Sequence, residues 1–181
     1  MRTKAPEERK AEMVAIAAVL FSKQGFIKTH ISEITDAAKV AKGLFYYYFA
    51  TKDDMVKTVV EGYSSYLGAW AERIAEGSGT GRETLARLFT GEEWRKYFTT
   101  PLMADLRLPE SFSVYSDMCE RLTTHLLPAV TRIVGDLAAS GKKTELAEHA
   151  AAVFLYGILM RMRQSDLSQE TVLEMADLML S

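Results

Sequence analysis

One cysteine, Cys119, is all the thiol this chain has. That excludes an internal disulfide and suits a reducing compartment. Four prolines and eleven glycines are too few for a collagen-like or low-complexity chain. Long apolar runs are missing too. The longest, Ala150–Met160, is eleven residues, where a bilayer span needs roughly 20. The opening MRTKAPEERKAE has no apolar core of a signal peptide, so the expected location is the cytoplasm, with no membrane partner. There is no phosphate-binding loop and no nucleophile elbow. His30, His125 and His149 show no metal-ligand spacing with cysteine or acids. Glu92-Glu93 reads as the charged start of a helix rather than an acid/base pair. Neither an enzyme nor a bound metal or cofactor is expected.

What is present is a globular composition, 48% hydrophobic and 25% charged over 181 residues. A chain of this length buries about 70% of its unfolded surface, enough for a core without staples. The net charge of −2 hides an asymmetry. Residues 1–52 carry nine basic and five acidic groups, net +4; the remainder carries 13 and 19, net −6. A basic end on an acidic body is the pattern of a protein that presents one end to a polyanion.

No segment alternates apolar and polar residues for long, and apolar stripes recur at helical spacing, so the expected class is all-α. The first helix spans about Pro6–Lys23, with Met13, Ile16, Ala17, Leu20 and Phe21 as its stripe and Gly25 as its stop. Short helices follow at Ile31–Ala38, with Thr29 or His30 as cap, and at Lys42–Tyr48. Thr51 and Asp54 form a capping box for a long fourth helix. Gly77–Gly81 is a turn. Beyond it, helices are expected at about Arg82–Phe89, Glu92–Leu106, Glu110–Ser140 with a kink at Pro128, Thr144–Arg163 and Gln169–Leu180.

Two short helices about three residues apart, after a longer one, form a helix-turn-helix pattern whose second helix would lie in a major groove. Lys42-Gly43-Leu44-Phe45-Tyr46-Tyr47-Tyr48-Phe49 holds more aromatics than so short a helix can bury. Phe45 and Phe49, four apart, can share the core face; Tyr46 and Tyr47 must point elsewhere, where phenol hydroxyls can donate to phosphate. Gly43 either lets backbone approach DNA closely or serves a packing contact.

Leu20-Phe21, Gly25-Phe26, Thr29, Ile34, Ala37-Ala38, Val40, Lys42-Gly43, Tyr46, Tyr48-Phe49 and Lys52 resemble, in type and spacing, the N-terminal signature of the tetracycline-repressor (TetR) family over about residues 10–57. The resemblance implies an N-terminal helix-turn-helix domain, residues 1–51, joined through the fourth helix to a helical ligand-binding and dimerisation domain, residues 52–181. It implies a homodimeric regulator, most simply a repressor released from a near-palindromic operator by a small apolar or aromatic effector. The alternative is an activator or adaptor acting through protein contacts. It assigns DNA contacts to Thr29, Lys42, Gly43, Leu44, Tyr46, Tyr47, Tyr48 and Lys52, with Thr29 and Lys52 on phosphate and Tyr48 either on phosphate or packed inward. Two departures stand out. Ala41 replaces a small hydroxyl residue, a loss of about 1 kcal/mol at a helix cap. Leu44 replaces a polar one, and either reads a thymine methyl or packs inward. Lys39 stands where the turn usually has glycine, which implies backbone strain.

For the second domain, Trp70, Trp94, Phe98, Met103, Phe112, Tyr115, Met118 and Cys119 are of types that suit an apolar pocket, and equally an ordinary core. Ala150–Met160 is apolar on all faces and must be covered on both sides. With Ala150, Ala151, Phe154, Gly157 and Ile158, and with Met175 and Met179 of the last helix, it is expected to build a dimer interface; the other reading is a central helix of a monomer.

Overall fold

The computed structural model describes residues 5–137, 147–164 and 168–180, and among them every regular element is helical. Helix α1 is Pro6–Gln24, with proline at its first position, Glu7 and Glu8 in its first turn and Lys23 in its last. Met13, Ala17 and Phe21, each four apart, are its buried row. Helix α2 is Ile31–Ala37, capped by His30 rather than Thr29. Helix α3 is Lys42–Tyr48, and α4 is Lys52–Ala75. The Thr51 capping box forms as expected: Thr51 N–H donates to Asp54 Oδ2 at 3.0 Å and Asp54 N–H to Thr51 Oγ1 at 3.1 Å.

Helix α5, Gly81–Thr90, opens on a second box, in which Thr80 N–H donates to Glu83 Oε2 at 2.9 Å and Glu83 N–H to Thr80 Oγ1 at 3.3 Å. The single helix expected over Glu92–Leu106 is two, α6 (Glu92–Phe98) and α7 (Pro101–Leu106). Pro101 is the cause. It lacks an N–H and drives its predecessor extended. Thr100 adopts ψ 153° and its hydroxyl accepts from Met103 N–H, starting a new helix. Pro109 acts likewise: a 3-10 turn, Pro109–Ser111, precedes α8, which runs Phe112–Leu137 rather than from Glu110. Its expected stripe from Tyr115 to Ile133 is buried throughout, with Pro128 inside the helix on the exposed side. Helix α9 is Ala147–Met162 and α10 is Gln169–Leu180. The expected helix end near Ser140, stop at Gly141 and restart at Thr144 lie outside the described residues, as do the side chains of Leu137 and Met179.

The chain forms two compact units. The first comprises residues 1–62 and 99–115, the second 63–98 and 116–181, so the expected boundary at 51/52 falls inside the first unit. In the first, Phe21 meets Phe26 edge-on at 6.4 Å and Phe45 lies 5.5 Å from Phe49. Helix α7 packs on α1 there. In the second, Phe89 contacts Trp94 at 4.9 Å and Phe154 at 5.7 Å, and Trp94 stacks on Phe98 at 4.2 Å. Each such ring, fully buried, stabilises by about 1.5–3 kcal/mol. Gly68 lets α4 run close to α8; a Cβ there would stand 2.7 Å from the His125 carbonyl oxygen. Glu72 and Arg132 join the same two helices at 2.8 Å. No helix of the described residues is long and apolar enough to cross a membrane.

Candidate nucleic-acid interface

The approach to α2 is built from backbone-directed hydrogen bonds. Gly25 ends α1 at φ +83°, a conformation that favours glycine. Thr29 is fully buried. Its hydroxyl donates to the Gly25 carbonyl at 2.6 Å and accepts from Gln24 Nε2 at 3.2 Å. Thr29 therefore holds the turn, and its side chain does not face solvent where a phosphate would be met. Glu33 reaches back to the cap: His30 N–H donates to its Oε2 at 2.6 Å and Gln24 Nε2 to its Oε1 at 3.1 Å. These two bonds, the backbone one first, hold the Glu33 carboxyl below the ordinary carboxylate range.

The turn between α2 and α3 is tight. Val40 N–H donates to the Thr35 carbonyl at 2.9 Å, and Lys39 sits at φ 55°, left-handed, as the missing glycine implied. Ala41 caps α3 with no side-chain bond. On α3 the faces divide as the aromatic count requires. Phe45 and Phe49 are buried, while Tyr46 is 51% and Tyr47 76% exposed. Lys42 is exposed, with its ammonium 6.0 Å from the Tyr46 ring centroid. Gly43 is exposed, and a Cβ there would meet nothing within 4 Å. The packing reading of this glycine thus finds no neighbour among the described residues. Leu44 is half-buried, short of the exposure of its tyrosine neighbours. Tyr48 is also half-buried; its hydroxyl donates to the Pro6 carbonyl at 2.9 Å, which ties α3 to the start of α1.

Lys52, at the start of α4, sends its ammonium back to the carbonyls of Ile27 and Thr29, each at 3.3 Å. With Lys42 it lines a cleft of about 300 Å³ whose other walls are Thr29, His30, Ile31 and Ser32. Two cations with the Ser32 hydroxyl and the His30 imidazole in one open cleft suit a phosphate oxygen, the Thr29 hydroxyl being committed to the Gly25 carbonyl. His30 and Ser32 were not expected at this site. Their signal was adjacency to the α2 cap, which identified a helix start and not a surface.

The other candidate residues divide. Of the pocket candidates, Trp70, Trp94, Phe98, Met118 and Cys119 belong to the second unit, while Met103, Phe112 and Tyr115 belong to the first. Phe112 is 45% exposed at the start of α8, so the structure does not enclose it in a cavity. Trp94, Phe98, Met103, Tyr115, Met118 and Cys119 are buried, and Trp70 is half-buried. On α9 the expected dimer residues fall on different faces. Ala151, Phe154 and Ile158 are buried in their own unit, whereas Val153, Tyr156 and Gly157 are exposed and Ala150 and Met160 half-buried. The uncovered row is therefore Ala150, Val153, Gly157 and Met160, one residue out of register with Ala151, Phe154 and Ile158. On α10, Met175 is half-buried. Glu92 and Glu93 both pair with Lys96, at 3.0 and 3.1 Å, as a helix-start charge pair does.

Residues 14–59 match the family model described as bacterial regulatory proteins, tetR family. The chain is 36% identical over 83 residues to the transcriptional repressor KstR2 of Rhodococcus jostii, covering 45% of this chain and 40% of that protein. It is 42% identical over 65 residues to the transcriptional regulator HbdR of Aromatoleum sp., covering 34% and 28%. The match thus spans less than half the length of these curated relatives. A crystal structure of RolR in complex with resorcinol aligns over 94% of both chains, with a TM-score of 0.64 at 14% identity, and shows the fold alone.

Proposed function

We propose, on the premise that this chain belongs to the tetR family of bacterial regulatory proteins through residues 14–59, that it is a cytoplasmic, homodimeric repressor that leaves its operator when a small apolar or aromatic molecule binds the second unit. The observation that carries this reading is the α3 surface. Two exposed tyrosines, an open-faced glycine and Lys42 stand on the side opposite a buried Phe45–Phe49 pair, next to the Lys42–Lys52 cleft. In this reading Tyr46, Tyr47 and the Gly43 backbone meet the groove, Lys42 and Lys52 meet phosphate, and Leu44 lies at the margin. Thr29 and Tyr48 support the surface through the turn and α1.

A second copy would cover the uncovered α9 row of Ala150, Val153, Gly157 and Met160, where the small residues allow close approach. A two-fold dimer sets two α3 helices about one turn of DNA apart or a multiple, which makes the target a near-palindrome. Trp94, Phe98, Met118 and Cys119 supply apolar and aromatic surface for an effector, as the resorcinol-bound RolR suggests. Helix α4 is shared by both units, Lys52–Gly62 in one and Tyr63–Ala75 in the other. A ligand that shifts it needs a coupling of about 1–3 kcal/mol to change DNA affinity 5- to 150-fold.

The test is selection of the purified chain against random duplex DNA at two salt concentrations, with sequencing. The expected result is an enriched near-palindrome whose binding falls steeply with salt and is lost in Tyr47→Ala. Absence of enrichment at low salt, with or without candidate aromatic effectors, would overturn the reading in favour of an adaptor.

A further inference from the structure

Asp105 lies on α7, far along the chain from the helix-turn-helix, yet in the same compact unit. Its Oδ2 accepts the Ile27 N–H at 2.9 Å. The carbonyl of the same residue, Ile27, accepts from Lys52 Nζ at 3.3 Å. The main chain of Ile27 is therefore gripped from both ends: by a carboxylate at its nitrogen and by an ammonium at its oxygen. The Ile27 side chain does not anchor it, being 43% exposed. Gly25 makes the grip possible, since a Cβ there would collide with the Asp105 carboxyl. Lys52 in turn lines the cleft with Lys42, His30 and Ser32.

We propose that Asp105 is a positioning residue for DNA binding: by fixing Ile27 it fixes the two loop carbonyls that aim the Lys52 ammonium into the cleft. The inference rests on the DNA-binding reading above. It adds a residue from outside residues 1–62 to the phosphate-binding apparatus. It also makes a prediction whose sign opposes simple electrostatics. Asp105 carries a negative charge in the unit that meets a polyanion, so removing it should tighten binding if charge alone mattered. If Asp105 aims Lys52, removing it weakens binding.

The experiment uses the full chain as wild type, Asp105→Ala and Asp105→Asn, each checked by circular dichroism for an unchanged fold, with the duplex enriched from random DNA as probe. Amide exchange at Ile27 is read without DNA. In Asp105→Ala the Ile27 amide exchanges faster and duplex affinity falls by about tenfold, the loss of a hydrogen bond to a charged group. The salt slope drops toward that of Lys52→Ala, by about one phosphate contact. Lys52→Ala adds little in the Asp105→Ala background. Asp105→Asn, which keeps an acceptor and loses the charge, retains Ile27 protection and most of the affinity. Tighter binding in both variants, additive effects of the two alanines, or an unchanged Ile27 amide would each overturn the proposal. If no duplex is enriched, the regulator reading fails and this role fails with it, while Ile27 exchange still reports whether the grip exists.

Discussion

One aromatic pair of the first unit and one of the second are used in opposite ways. In the first, Tyr46 and Tyr47 stand 51% and 76% exposed on a seven-residue helix. In the second, Trp94 and Phe98 are 3% and 4% exposed and stacked on each other. An outward aromatic pair departs from what folding alone asks of a sequence, so it points to a partner. An inward pair is what folding asks for, so the same residue types carry no message about a ligand. A surface site shows itself in sequence by excess; a cavity site does not, because cavity liners and core residues have the same chemistry.

The largest effect that tests this contrast is Trp94→Ala. The ring packs edge-on to Phe89 and face-on to Phe98, so its loss should cost about 3–5 kcal/mol in urea unfolding. Tyr47→Ala should change stability by no more than about 0.5 kcal/mol while abolishing operator binding. A cost at Trp94 below about 1 kcal/mol would break the contrast, because it would mean that the inward ring is not held by the packing that folding asks for.

A pair of glycines gives the next effect. Gly68→Ala forces a methyl against the His125 carbonyl, 2.7 Å away, and should destabilise by about 1–3 kcal/mol. Gly43→Ala meets nothing and should stabilise α3 by about 0.5–1 kcal/mol. Thermal melts rank the two. If Gly43 is kept for backbone approach to DNA, its alanine variant binds duplex more weakly while melting higher; equal binding would return Gly43 to an ordinary helical position.

Smaller still is Lys39→Gly. A non-glycine residue at φ 55° costs about 1–2 kcal/mol, so glycine should raise stability by about 1 kcal/mol once its own chain entropy is counted. Unfolding that leaves the midpoint unchanged would show that the turn bears no strain.

How far the sequence could be read follows the same division. Lys42–Tyr48, the Thr51–Asp54 box and the outward tyrosines were legible because each rests on neighbours within four residues. The break at Pro101 was legible too, since proline alone dictates it, yet the apolar spacing across Glu92–Leu106 concealed it. Thr29 was visible as a hydroxyl at a helix start, but not that its hydrogen would go to Gly25, a choice made by the φ of that glycine. The α9 residues expected at an interface fall on two faces, Ala150 and Gly157 on the uncovered one and Ala151, Phe154 and Ile158 on the buried one, because a helix apolar all round has no stripe to fix its rotation. Asp105 left no local trace, as its partner is 78 positions away.

Acid titration probes a device both units share. In α2, Glu33 accepts from His30 N–H and then Gln24; in α5, Glu83 accepts from Thr80 N–H, and Thr80 answers with its hydroxyl. Both carboxyls are held below their ordinary value of 4.5, so each binds its proton less readily folded than unfolded. Their contribution to stability is complete above that value and is lost as pH falls through the lower folded values. Unfolding midpoints measured on acidification should therefore decline below about pH 4.5, and Glu33→Gln and Glu83→Gln should each flatten the decline. The units part company in DNA binding. Glu33 holds His30, a wall of the Lys42–Lys52 cleft, so Glu33→Ala, which removes the acceptor, should weaken duplex binding at neutral pH, whereas Glu83→Ala should leave it unchanged. Equal effects of the two on binding would mean that helix capping in general, and not the geometry of this cleft, controls the interface.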